Sequence, residues 1–380
     1  MKNKITKRSI KMATKFKTIL SIITLVIITT STSMTAQTVK PLDLPNISVI
    51  GNMVGELSDH KKAFNVKTIE FAFQHYLYPS VKVDIFTGLH VDENSFELCE
   101  GYVTFLDPIG LLLPNSDLNL GLGTIVGRKF LNIGKINQLH SEQWDYVNRP
   151  LFAQTFLGGE EGVSGEGILL SYLLPVPFFS QLEIGGWSPV LHAHEEPHGN
   201  ENDEEESGHD HHEIESIEYK NRMVTGRIWN SFELSESTEL EIGGSYLLEN
   251  VTAESAEQKT IMGGDITLRH EIGLNQAIRL NSELYNAKYA HEGENKENQL
   301  GGFVNLQYKL NNFYKFGVRY DLLGKHGDDG ESKNQIAIMA TRQLTETSKF
   351  RIQYNTGKEM DNTIYAQFVF GMGPHSHILQ

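Results

Sequence analysis

The chain has 380 residues, with 48 acidic side chains against 33 basic ones and a formal net charge of −15. This balance argues against a nucleic-acid-binding protein, because a phosphate backbone repels an acidic surface. The single cysteine, Cys99, excludes a disulfide framework and a cysteine-based zinc site within the chain.

The first 36 residues are typical of an export signal. They hold seven basic and no acidic residues, an apolar run from Ile19 to Thr30, and small residues before Gln37. The run is shorter than the roughly 20 residues that a membrane-spanning helix needs. We therefore expect a cleaved signal peptide at 1–36 and an exported protein with a net charge near −22, from 26 basic and 48 acidic residues.

Beyond the signal, apolar and polar residues alternate with a period of two, as in a β-strand with two different faces. From Gln299 to Leu310 one face is mainly leucine, valine and tyrosine, and the other is mainly glutamine, asparagine and lysine; Lys349 to Asn355 alternates in the same way. Charged residues recur in mid-strand, where a water-filled lumen accepts them and a sandwich core does not. The pattern predicts an all-β protein, a transmembrane antiparallel β-barrel of about sixteen strands over 37–370, and a short tail at 371–380.

The connections between these strands alternate in length. Those after even-numbered strands are mostly short, and those after odd-numbered strands are mostly longer and polar: 52–65, 128–162, 189–220, 250–259, 289–298 and 323–333. The links 106–116 and 358–361 are exceptions. Short turns at one end and long loops at the other are typical of outer-membrane barrels, whose long loops face the cell exterior.

The long connection at 128–162 contains aromatic residues, so we expect it to be ordered and folded into the lumen as a constriction loop. Its charged and histidine residues are the candidates for lining the pore. They are Arg128, Lys129, Lys135, His140, Arg149, Glu160 and Glu161.

The connection at 189–220 contains six histidines and eleven carboxylates between residues 191 and 218, with few apolar side chains. Imidazole and carboxylate together suit Zn²⁺ and similar divalent ions, and low affinity suits a site that must release its ion. We interpret it as an external, weak metal-capturing loop; a solvated acidic loop without a metal role remains the alternative. The candidate ligands are His192, His194, His198, His209, His211 and His212.

Several segments resemble a bacterial outer-membrane family described as zinc-regulated porins, which is itself similar to phosphate-selective porins. These segments are Ile47–Asn52, Cys99–Phe105, Gly127–Phe130, Gly134–Asn137, Asp145–Leu151, Phe156–Gly162 and Phe370–His375. The resemblance implies a diffusion barrel under zinc control. The chain departs from a phosphate-selective pattern, because its polar strand faces mix acidic with basic residues.

Together these observations predict a porin-like channel in the outer membrane of a Gram-negative bacterium, linked to zinc or other divalent-metal acquisition. Its expected partners are outer-membrane lipid and small ions or solutes, with a homo-trimer left open. No cofactor is required; Zn²⁺ or another divalent metal is the candidate for weak binding. No catalytic residue is predicted, since the Gly-x-Ser-x-Gly and His-Glu-x-x-His motifs are absent. The alternative is a surface metal-binding outer-membrane protein without channel activity.

Overall fold

The computed structural model describes residues 45–91, 95–113, 120–190, 222–250, 258–290, 297–326, 330–358 and 360–373. The expected signal peptide, the histidine-rich stretch 191–218 and residues 374–380 of the tail lie outside this range. Among the described residues, no helix is both long and apolar enough to cross a membrane.

The described chain forms a closed antiparallel barrel of sixteen strands, so the predicted fold class is confirmed. Each strand pairs with its neighbours in the chain, and the last strand pairs with the first, from Val49 opposite Met372 to Leu57 opposite Ile364. The strands are β1 (Asn46–Leu57), β2 (Lys62–Tyr78), β3 (Val81–His90), β4 (Ser95–Phe105), β5 (Leu122–Phe130), β6 (Ser164–Leu173), β7 (Phe179–Pro189), β8 (Arg222–Ser235), β9 (Thr238–Asn250), β10 (Gln258–Gly273), β11 (Gln276–Ala290), β12 (Glu297–Lys309), β13 (Tyr314–Leu323), β14 (Lys333–Thr345), β15 (Ser348–Lys358) and β16 (Met360–Met372).

The two faces of the barrel wall differ as the alternation predicts. On β12, Leu300, Val304 and Leu306 are about half exposed on the outside, whereas Asn305 and Gln307 are buried on the inside. The same division recurs around the barrel, so a band of leucine, isoleucine and valine covers its outer surface. An apolar band of this extent is stable against hydrocarbon and not against water.

The connections at one end of the barrel are tight. Residues 79–80, 236–237, 274–275 and 346–347 are two-residue turns, and Asn275 adopts the positive φ of 65° that asparagine tolerates in such turns. At the other end, the prediction of a long loop at 52–65 was wrong. β1 and β2 extend past the apolar band, and only residues 58–61 connect them.

The connection between β5 and β6 turns into the barrel. We call residues 131–163 the inward segment; the expected loop at 128–162 begins later, because β5 continues through Lys129 to Phe130. The segment contains a short 3₁₀ helix (Ile136–Gln138) and helix α2 (Leu151–Phe156), whereas helix α1 (Pro108–Leu112) lies between β4 and β5.

Apolar packing fixes one half of the inward segment to the wall. The side chain of Phe152 stacks on Tyr285, with ring centroids 5.5 Å apart, and on Phe303 at 6.0 Å. Leu131, Ile133, Phe156 and Leu157 join the same buried cluster, together with residues of β6 to β13. Helix α2 therefore fills this side of the lumen with a small hydrophobic core, and the barrel interior is not simply an aqueous pore.

Candidate functional site

The inward segment first bonds to the wall formed by β7 to β11. The side-chain amide of Asn132 donates to Glu183 (2.7 Å), and the backbone N–H groups of Lys135 and Ile136 both donate to Glu283 Oε1 (2.9 Å each). Gly134 has a φ of 59°, and a Cβ there would collide with the Glu283 carboxylate. Glycine at this position therefore permits the close approach of the segment to β11.

The next part of the segment reaches the opposite wall. The Nδ1 atom of His140 lies 2.7 Å from Glu70 Oε2 on β2, and its Nε2 atom lies 2.8 Å from Glu100 Oε2 on β4. The side-chain amide of Asn52 on β1 donates to the Ser141 hydroxyl at 3.2 Å. A loop that lay along one wall would not make these bonds, so the inward segment crosses the lumen.

A third set of bonds fixes the returning chain to β13 and β15. Lys349 Nζ donates to the Glu142 carbonyl (2.5 Å), and Arg351 donates to the Trp144 carbonyl (2.9 Å). Arg319 donates to the Asn148 carbonyl at 2.8 Å. These donors are buried basic side chains on the barrel wall, so the bonds that they make to the segment are shielded from water.

The environment of His140 is closed and acidic. The rings of Phe86 and Phe130 lie 5.1 and 5.0 Å from the imidazole and pack against it. Burial alone would lower the pKa of His140, but Glu70 and Glu100 raise it well above its usual value. Burial, with the Glu70 carboxylate nearby, raises the pKa of Glu142 to about 8.

Asp145 lies in a basic environment on the other side of the crossing. Its carboxylate contacts Arg279 and lies 3.5 Å from Lys315 Nζ. Burial alone would raise the pKa of Asp145, but these two cations lower it well below its usual range. The carboxylate is therefore charged at neutral pH and joins the segment to β11 and β13.

Arg149 holds the inward segment together internally. Its guanidinium donates to the carbonyls of Leu157 (2.8 Å) and Gly159 (2.6 Å) and to Asn137 Oδ1 (3.1 Å). Burial lowers its pKa to about 10, which leaves it protonated at neutral pH. Arg149 is therefore a buried cation that cross-links its own segment.

Replacing Arg149 by methionine should loosen the inward segment and leave the wall intact. Methionine fills much of the same space but donates no hydrogen bond, and each bond to a charged donor contributes about 1.5–3 kcal/mol. Amide hydrogen exchange across 137–159 should accelerate, while exchange in β1 and β2 should not. Lys67→Met is the control, because its pair with Glu160 is exposed and contributes little. Unchanged exchange in the Arg149 variant would contradict this role.

A cavity remains beside the inward segment. It has a volume of about 570 Å³, lies between the segment and the wall, and is lined by Lys135, Asp145, Arg227 and Glu241 among others. A second, of about 970 Å³, opens toward the turns at 311–312 and 345–346 and is lined by charges of both signs. Mixed charge of this kind favours water and small ions over apolar ligands.

The candidate pore residues do not all meet. Lys135 lines the first cavity and contacts Glu241, and Lys129 lies 3.8 Å from Glu100 beside His140. Arg149 bonds within the inward segment itself. Near the end of the segment, Glu160 pairs with Lys67 of β2, and Glu161 lies in the same turn.

Arg128 is separated from the other candidates. It pairs with Glu166 at 2.5 Å, and Glu166 shares the outer face of β6 with the exposed Ile168 and Leu170. The expectation that Arg128 lines the pore was therefore wrong. Adjacent residues of a strand point to opposite faces, so Lys129 faces the lumen and Arg128 does not.

Sequence reasoning missed the wall partners Glu70, Glu100 and Lys349 and the segment residues Glu142 and Asp145. Glu70 could have been found, because it stands between Ile69 and Phe71 in mid-strand. The six histidines of the predicted metal loop lie outside the described residues.

The chain and its fold were compared with known proteins. No protein-family model matches the chain. An uncharacterized protein of Aquifex aeolicus (strain VF5) is 24% identical, in an alignment that covers 86% of this chain and 72% of the relative.

Solved structures show the class of fold. A loop L8 deletion mutant of OmpT, an outer membrane protein of Vibrio cholerae, matches with a TM-score of 0.57 and 10% identity over 86% of this chain and 99% of that one. OmpT has also been solved in a trimer form. An anion-selective porin from Comamonas acidovorans matches with a TM-score of 0.56 and 9% identity, with the same coverage of both chains. The barrel has the fold of outer-membrane porins.

Proposed function

We propose that this protein is a diffusion channel for small ions or solutes in the outer membrane of a Gram-negative bacterium, exported with a cleaved signal peptide at 1–36. The observation that carries the proposal is the closed barrel with an apolar exterior, a charged interior and a cavity of about 570 Å³ beside a segment that narrows the lumen. This is the arrangement of a restricted pore.

Planar-bilayer recording tests the proposal. The refolded protein should produce discrete current steps in symmetric KCl, and the same preparation denatured before addition should produce none. Absence of current from a heat-modifiable, folded barrel would overturn the channel and favour the alternative of a surface metal-binding protein anchored by its barrel.

Ion preference should depend on the cavity near the short turns. Replacing Arg269 and Lys309, which line that cavity, by glutamate should shift the reversal potential in a KCl gradient toward cation preference. Lys62→Glu, an equal charge change at the end of β2 away from this cavity, should shift it much less. An unaltered reversal potential in the double variant would mean that ions do not pass through this cavity.

We also propose that the stretch 191–218 captures Zn²⁺ or another divalent metal for acquisition. The support is its composition of six histidines and eleven carboxylates on the connection between β7 and β8. Replacing the six histidines by serine, with the length and carboxylates kept, should slow growth under zinc starvation and leave growth unchanged in replete medium. Equal growth in both media would count against capture.

Assembly as a homo-trimer is a further part of the proposal, supported by the trimer form of OmpT. Light scattering of the protein in detergent should give three times the protein mass of one chain. A protein mass of one chain at all concentrations would contradict it.

A further inference from the structure

A buried group of metal-ligand side chains lies where the inward segment meets β2. Glu70 of the wall and His140 and Glu142 of the segment each offer one donor atom, and these atoms lie within 4.8 Å of one another. All three residues are no more than 5% exposed. Buried carboxylates are rare unless they are paired or coordinate a metal, so two carboxylates around one imidazole require an explanation.

Two oxygens of this group lack a hydrogen-bond partner among the described residues. They are Glu70 Oε1 and Glu142 Oε1, both shielded from solvent. The nearby Lys349 ammonium donates to the Glu142 carbonyl, so its closest bond is to the backbone and not to this carboxylate. A buried acceptor without a donor loses the free energy of its lost hydration, and a bound cation would restore it.

The imidazole of His140 is held in the orientation that a histidine ligand of a metal ion needs. Its Nε2 atom lies 2.8 Å from Glu100 Oε2, and Glu100 Oε1 accepts from the Phe130 backbone N–H at 2.8 Å. With the proton on Nε2, the Nδ1 lone pair points toward Glu70. A carboxylate on the far nitrogen of a histidine ligand fixes its tautomer and ring position in many metal sites.

The distances suit a small divalent ion. Metal–ligand bonds of about 2.0–2.2 Å place neighbouring donor atoms about 3.3 Å apart in a tetrahedral site. The Nδ1 atom of His140 is now 2.7 Å from Glu70 Oε2, so these two atoms would separate by less than about 1 Å. A metal ion would replace the proton that they share.

We propose that Glu70, His140 and Glu142 bind a divalent transition-metal ion of the Zn²⁺ type, with Glu100 as the residue that positions His140. One imidazole with two carboxylates is a donor set that suits such ions. The ion joins the inward segment to β2 across the lumen and so fastens the crossing in place. This site is independent of the stretch 191–218, and its occupancy does not require that the barrel conduct.

Binding is tested in the full-length chain with the six histidines of 191–218 replaced by serine, which removes the competing ligands. Co²⁺ added to the folded protein should give visible d–d absorption at one equivalent, and Zn²⁺ should abolish it. Glu100→Gln should weaken Co²⁺ binding about 10–100-fold, and Glu142→Gln should weaken it more. Asp84→Asn is the matched control: Asp84 is also a buried carboxylate of the lumen, but it pairs with Lys82 and Gln74.

Heat-modified gel mobility confirms that each variant is folded. No Co²⁺ absorption in the unmodified site, or full absorption in a folded Glu142→Gln variant, would overturn the proposal. A second measurement needs no variant of the site and so stays valid if the variants misfold. In the protein with Glu70, Glu100, His140 and Glu142 intact, Zn²⁺ should slow hydrogen exchange of the amides at 138–146. Channel currents enter none of these measurements, so failure here is distinguishable from failure of the channel proposal.

Discussion

Replacing Lys349 and Arg351 together by methionine should raise the single-channel conductance several-fold. Their side chains are almost fully buried, and they hold the carbonyls of Glu142 and Trp144 to β15. Each hydrogen bond from a charged donor contributes about 1.5–3 kcal/mol. Without both, the crossing part of the inward segment loses its hold on this wall, and the open cross-section of the lumen increases.

Planar-bilayer recordings of the double variant measure this effect directly. Replacing Arg269 and Lys309 by methionine is the matched control, since it removes two lumenal cations that do not hold the segment. The control should alter ion preference without a several-fold change in conductance. An unchanged conductance in a folded Lys349/Arg351 variant would show that the crossing is not the barrier to ions.

Replacing Arg227 by methionine should lower the free energy of unfolding by about 3–5 kcal/mol, the cost of leaving a buried charge without its partner. Arg227 binds Asp265 through two nitrogens, at 2.6 and 3.1 Å, and both side chains are shielded from water. Arg227 also donates to the Ser245 hydroxyl, which accepts the backbone N–H of Gly134. The loss therefore reaches the inward segment as well as the wall.

Equilibrium unfolding in denaturant, with the barrel in lipid or detergent, measures this difference. The double variant Arg227→Met with Asp265→Asn should recover much of the stability, because no unpaired charge is left inside. Equal destabilisation in the single and double variants would mean that the cost arises from lost packing and not from the buried carboxylate.

The strands of the barrel wall could be predicted from the sequence, because one face of each strand meets an apolar environment and the other meets a polar one. The prediction of a strand at 299–310 agrees closely with β12 at Glu297–Lys309. The prediction of strands from alternation fails in β1 and β2, beyond the apolar band. Residues 53–57 and 62–65 belong to strands whose alternation is weakened there, and the pairing register shifts between Asn52 and Met53.

The candidate site is much less readable. The sequence places His140 in a long connection near Trp144, and this proximity suggests a local packing role. Its actual partners, Glu70 and Glu100, lie far away in the chain and meet it only because β2 and β4 bring their mid-points to the same level of the lumen. That level depends on the stagger of all sixteen strands, which no local pattern contains.

The position of the inward segment in the chain has a consequence for how the protein is made. The segment lies between β5 and β6, but Lys349 and Arg351 belong to β15, so these anchors exist only when the last hairpin has been added. An intermediate that lacks the final strands therefore has its obstruction only partly attached.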